Sequence, residues 1–175
     1  MNDFRHALEE QIPLLRRYAR ALTRKTAPAD DLVQETLVRA LAKQHLWQPG
    51  TNLRAWLFTI MHNLNVNEVR RNIHEDTSVD VDNCPAVLVA TTDPTGSRQL
   101  CELEWALSRL PEEQRQPILL IGLEGMSYED TAAVLNIPIG TVRSRLSRGR
   151  DLLRKLMGME GEPANPVAIS RAKAA

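Results

Sequence analysis

The sequence predicts an all-α protein built as two small helical domains joined by a flexible linker. Three observations carry that prediction. Apolar residues recur at helical spacing in both halves of the 175-residue chain. No stretch alternates apolar and polar residues as a half-buried strand would. From His74 to about Gly96 the helical period fades into Asp, Thr and the breaks Cys84-Pro85 and Asp93-Pro94. The boundaries that follow are 1–74 for the first domain, 75–96 for an acidic linker and 97–157 for the second domain. Residues 158–175 are left as a tail without an apolar stripe, expected to fray.

Leu8, Ile12, Leu15, Ala19 and Leu22 form the stripe of a first helix, with Arg16, Arg17, Arg20 and Arg24 elsewhere on its surface. A second helix is expected from near Pro28, which suits a first turn, to about Gln44, with Asp30 and Asp31 favouring its positive end. After Gln48-Pro49-Gly50, Thr51 or Asn52 can cap a third helix whose stripe is Leu53, Trp56, Leu57, Ile60 and Leu64. Trp56 is assigned to the core because it lies on that stripe.

Helical order resumes with Leu100, Leu103, Leu107 and Leu110, and a new start is marked by Pro111. Pro117 removes a backbone donor inside the next helix, which is therefore expected to kink or begin late. Ser127 followed by Asp130 resembles a capping box, and small Ala132 and Ala133 allow a close helix crossing. Pro138 preorganises a further start, with Val142, Leu146, Gly149 and Leu153 on the buried side. Two helices with this short turn make a helix-turn-helix. Gly149, in mid-helix, costs roughly 1 kcal/mol in propensity and is expected to loosen the helix beyond it.

The formal net charge is zero, but the charge is segregated. Between Ile139 and Lys155 six Lys or Arg oppose Asp151 alone, whereas between His74 and Gly96 five acidic residues meet no Lys or Arg. A basic helix and an acidic connector thus cancel on paper while acting separately in space. The opposite charges suggest that the connector screens the basic helix. The first ten residues hold Asp3, Glu9 and Glu10 and no long apolar run, so neither a secretory leader nor a membrane span is expected, and the cytoplasm is the expected compartment. Cys84 and Cys101 lack metal-ligand spacing, His6, His45, His62 and His74 form none with them, and no glycine-rich phosphate loop occurs. No metal, cofactor or catalytic residue is expected, and the enzyme class is disfavoured.

Three surfaces carry candidate function. With Val142, Leu146 and Gly149 buried, Arg143, Ser144, Ser147 and Arg148 face outward on the early turns of the second helix of the pair, the part that reaches base edges. Arg145, Arg150, Arg154 and Lys155 suit phosphates, which give affinity without sequence choice. On the third helix Thr59, Asn63, Asn67 and Arg70 share a polar face able to offer amide and guanidinium groups to an unpaired strand. On the second, Asp31, Gln34, Glu35 and Val38 follow i, i+3, i+4 and i+7, a face that by itself reads as merely solvated.

Sequence resemblance sharpens these surfaces. Asp31-Leu32-Val33-Gln34-Glu35 resembles the core-binding motif of sigma factors of the sigma-70 superfamily, and the segment from Asn52 to Asn63 looks like that family's promoter-melting segment. Leu107 to Arg115, Gly125 to Glu129 and Gly140 to Arg145 are similar to the last domain of the extracytoplasmic-function (ECF) subfamily. The resemblance spans about residues 10–73 and 97–156. It implies that Asp31, Gln34 and Glu35 hold RNA polymerase core, that Thr59, Asn63, Asn67 and Arg70 take the opened minus-ten element, and that Arg143, Ser144, Arg145, Ser147 and Arg148 contact the minus-thirty-five element. It also implies an anti-sigma factor as a further partner beside polymerase core and promoter DNA.

Two other classes remain. A helix-turn-helix regulator would share the C-terminal pair, but it needs an input domain and leaves the Asp31 to Glu35 motif unexplained. A sigma mimic that titrates a regulator would have no need of Arg143, Ser144, Arg145, Ser147 and Arg148.

Overall fold

The computed structural model describes residues 2–48, 50–74 and 94–159. Among these there are seven α-helices: α1 (Asn2–Thr23), α2 (Thr26–Ala42), α3 (Leu53–His74), α4 (Pro94–Arg109), α5 (Glu112–Ile118), α6 (Tyr128–Leu135) and α7 (Ile139–Leu156). A 3₁₀ turn, Gln44–Leu46, follows α2, and a π-helical segment, Leu119–Leu123, follows α5. No strand occurs among the described residues. The expected screening connector and tail fall almost wholly outside them, except that α4 already begins at Pro94, inside the predicted linker.

Local chemistry explains most boundaries. Asn52 Oδ1 accepts from the Ala55 amide and caps α3. Ser127 Oγ accepts from the Asp130 amide at 2.9 Å and caps α6. Asn136, at φ +51°, turns the chain out of α6 in the left-handed region that Asn tolerates, with the Ile137 amide reaching back to Ala132 O. Pro138 then opens α7 with the extended conformation its ring favours. For α2 the expectation needs correcting. That helix starts at Thr26, so Asp30 and Asp31 lie beyond its first turn, where the helix dipole no longer rewards a carboxylate.

The expectation for Pro117 is half met. Helix α5 does not begin late, since it follows Pro111 at once. The disturbance comes after the proline: its missing donor weakens the α ladder, and the next turn winds wider, with the Glu124 amide donating to Leu119 O five residues back. Gly149 does not loosen α7, which continues unbroken to Leu156. A Cβ there would stand 2.7 Å from Ile118 Cδ1 and 3.1 Å from Gln114 O, so the glycine is what lets α5 and α7 approach. Of the two alanines meant to ease the helix crossing, Ala132 packs inward and Ala133 is exposed.

Helices α1, α2 and α3 pack together around Leu15, Tyr18, Leu32, Leu57, Phe58 and Met61. That core does not end at the first domain. Leu119, Leu120, Met126, Val134 and Leu135 of the C-terminal half belong to the same buried cluster, because α3 packs on α6 and α1 on the π segment. Phe58 and Met61, off the predicted stripe of α3, are fully buried, the Phe58 ring centroid 5.0 Å from that of Tyr18 on α1. Trp56, assigned to the core, is half-buried at its edge with Phe4, ring centroids 6.4 Å apart. A smaller cluster of Ile121, Val142 and Leu146 seats α7.

Candidate functional site

On α2, burial of Leu32, Val33, Thr36 and Ala40 leaves Asp31, Gln34, Glu35 and Val38 on the exposed side. Glu35 accepts from Arg39 Nε at 2.7 Å, one helical turn on. Both side chains are about half exposed, so this bond contributes only a few tenths of a kcal/mol and exchanges readily for a partner. The face is less polar than its sequence suggests. Val38 and Leu41 are 60% and 41% exposed on it, so an apolar strip runs alongside the carboxylates and amide, and Leu46 in the 3₁₀ turn after α2 is 61% exposed. Scattered exposed apolar side chains need no explanation, but Val38 and Leu41, one helical turn apart on the side of Gln34, form with the neighbouring acceptors a surface suited to a protein partner.

On α3, Asn63, Asn67 and Arg70 are exposed on one face, and Thr59 is half-buried with its hydroxyl donating to Ala55 O. Asn65, between them in sequence, points the other way: it is buried and donates to Glu112 of α5 at 3.0 Å. Arg70 borders a cleft with Val66, Val69, Glu112, Glu113 and Gln116. His62 is half-buried, and desolvation holds its pKa below the ordinary histidine range, with the Glu112 carboxylate opposing part of that effect.

On α7, Arg143, Ser144, Ser147 and Arg148 are exposed together, since i, i+1, i+4 and i+5 share a helix face. The Arg143 guanidinium lies 5.8 Å from the Tyr128 ring centroid, a contact that steadies a long side chain. Ser144 Oγ donates to Thr141 O and keeps its lone pairs outward. Arg145 stands apart from the other four: it turns toward α5 and pairs with Glu113 at 3.0 Å. Arg154 pairs with Asp151 at 2.9 Å. Among the described residues no cluster of three or more His, Cys, Asp or Glu could hold a metal, and no helix is long and apolar enough to cross a membrane.

The geometry also groups residues that no spacing in the sequence connects. Arg17 of α1 and Arg54 of α3 converge on Glu124, just past the π segment, 107 and 70 positions away. Local periodicity carries no signal of such a contact.

Comparison with known proteins matches this layout. A family model described as the Sigma2 domain of PhyR matches residues 8–62, which hold the α2 face and part of α3. One described as sigma-70 region 4 matches residues 102–153, which hold the helix pair. The chain is 41% identical over 150 residues to the ECF RNA polymerase sigma factor EcfG of Rhodopseudomonas palustris, covering 86% of this chain and 82% of that protein. It is similar in structure to the sigma factor RpoE of Bartonella quintana, solved with the anti-sigma factor NepR, at a TM-score of 0.78 and 38% identity, covering 91% of this chain and 99% of that one. The PhyRSL–NepR complex from Sphingomonas sp. Fr1 is alike in fold, with a TM-score of 0.60 at 23% identity over 90% of this chain and 92% of that one. With two family models falling in order on the two helical units, and a relative this similar along most of both chains, the chain belongs to the ECF family of RNA polymerase sigma factors.

Proposed function

We propose that the protein docks on RNA polymerase core through the exposed face of α2, holds the opened minus-ten strand on the polar face of α3, and contacts the minus-thirty-five element with α7. The observation that carries the reading is the α2 strip. Asp31, Gln34 and Glu35 share a face with uncovered Val38 and Leu41, an arrangement that costs solubility unless a partner covers it. Arg143, Ser144, Ser147 and Arg148 then supply base-edge contacts, and Arg145 reaches phosphate when Glu113 yields it.

Such a protein works by binding alone. Promoter opening follows if Thr59, Asn63, Asn67 and Arg70 hold the separated strand better than duplex, which shifts the equilibrium by that difference. It acts in the cytoplasm, where polymerase is, and an anti-sigma factor controls it, as the NepR complex of the Bartonella quintana relative suggests. The likeness to the Sigma2 domain of PhyR favours a second reading, a sigma mimic that engages only the anti-sigma factor. The exposed basic α7 argues against it, since a decoy has no use for base-reading side chains. Replacing Gln34 and Glu35 together with Ala tests the docking face. Core affinity should fall about ten-fold or more, as for interface residues worth over 1 kcal/mol; unchanged affinity removes the assignment.

A further inference from the structure

We propose that Glu124 is a latch: held between Arg17 and Arg54, its carboxylate keeps the C-terminal helical unit folded against the N-terminal one, in a closed form that cannot span a promoter. The proposal rests on the sigma-factor reading for its consequence, though not for its geometry.

The latch is specific, and its carboxylate is buried. Glu124 Oε1 accepts from Arg17 Nε at 2.9 Å, and Oε2 accepts from Arg17 Nη2 at 2.8 Å and from Arg54 Nη2 at 2.9 Å. Arg17 also donates to Leu123 O at 3.1 Å, and Arg54 to the Glu124 carbonyl. The carboxylate side chain has no exposure at all, and the Arg54 guanidinium lies 5.6 Å from the Phe58 ring centroid. One anion thus satisfies two cations of a unit to which it is joined along the chain through residues 75–93, α4, α5 and the π segment. The π segment after Pro117 leads directly to this position, since its wide turn ends on the Glu124 amide.

Closure fixes distance and does not hide the binding faces. Asn63, Asn67, Arg70, Arg143, Ser144, Ser147 and Arg148 all remain exposed in the closed form. A compact chain of this length has a radius of gyration of about 16 Å, so it is roughly 40 Å across. Elements centred near minus ten and minus thirty-five lie about 85 Å apart at 3.4 Å per base pair. The closed protein therefore reaches one element or the other. Residues 75–93 have a contour length of about 65 Å, enough to let the separated units reach both.

The contact is built to be broken. A buried ion pair gains little over its desolvation cost, yet removing one partner strands the remaining charges. Beside it, Arg54 Nε and Tyr18 Oη are buried with no hydrogen-bond partner among the described residues. Each such group costs free energy that water would return on separation. Opening also uncovers Leu119, Leu120, Met126, Val134 and Leu135 of the shared core, so polymerase and DNA that bind the open form supply that cost together with the latch's own.

The test uses the full chain, with spin labels at Glu9 on α1 and Glu129 on α6 in a cysteine-free background, read by pulsed dipolar spectroscopy without polymerase. The native protein should give one short distance. Glu124→Gln should shift the closed-to-open ratio on the order of 100-fold toward open, seen as a longer, broader distribution, and raise affinity for a duplex carrying both promoter elements over one carrying either alone, as the competent fraction grows. Arg17→Ala, at a partly exposed site on the other unit, should act in the same direction and keeps the test valid if Glu124→Gln does not fold. Distances unchanged in both folded variants overturn the latch. Distances that lengthen with no gain in binding to the two-element duplex overturn its inhibitory role, and a native protein that ignores core overturns the sigma-factor reading and leaves the distance result standing.

Discussion

Gly149 of α7 lies so close to Ile118 of α5 that a single added carbon would stand 2.7 Å from the isoleucine Cδ1. This contact, with Gln114 O at 3.1 Å behind it, sets how deeply α7 seats on α5. A bulky residue must push the two helices apart. Gly149→Leu is expected to lower unfolding free energy by about 1–3 kcal/mol, the range for overpacking. Gly149→Ala gains about 1 kcal/mol of helix propensity and loses a comparable amount in displacing Ile118, so it should be no more stable than the native protein. Denaturant unfolding of both variants checks the pair; a clearly stabilised leucine variant contradicts the packing.

Ser127 caps α6 through the Asp130 amide. Ser127→Ala should cost about 1 kcal/mol and Ser127→Asp almost nothing, because either oxygen can accept that bond. Thermal melts of the two variants separate this cap from a merely exposed serine.

His62 titrates below its ordinary value because burial disfavours the charged ring. Its folded pKa is depressed, so the unfolded chain takes up the proton first. The stability that His62 contributes is complete above about pH 6.5, falls as pH drops below that value, and levels off once pH is below the folded pKa. The slope attributable to one proton is at most about 1.4 kcal/mol per pH unit. Unfolding free energies between pH 5 and 8 should show this slope in the native protein and lose it in His62→Gln.

Arg148 and Arg145 differ in surroundings although three residues apart. Arg148 is exposed on one face with Arg143, Ser144 and Ser147, and Arg145 is held by Glu113. Arg148→Ala should weaken binding to the minus-thirty-five element by about 1–3 kcal/mol and leave core affinity unchanged. Arg145→Ala should weaken it less and uniformly across sequences. Binding assays on promoter and scrambled duplexes distinguish the two, and equal losses of DNA and core binding by Arg148→Ala would point to misfolding.

Much of this molecule was written in local pattern. The caps at Asn52 and Ser127, the turn at Asn136-Ile137-Pro138, the buried side of α7 and the exposure of Asp31, Gln34 and Glu35 all follow from contacts within a few residues. Such contacts are set by helical period, so sequence spacing suffices to place them. The errors arose where a second surface intervened. Phe58 and Met61 lie off the α3 stripe and are buried because another helix covers them, and Gly149 reads as a weak point until α5 is seen against it.

The sequence by itself determined the helices, their order, their outward faces and the family to which they belong. Only the tertiary structure decided that the two units share one core and that Arg17, Arg54 and Glu124 meet inside it. The physical reason is range. Periodicity records which face of a helix avoids water, but not which distant element provides the cover, and the pairing of charges 70 and 107 residues apart exists only once that cover is in place.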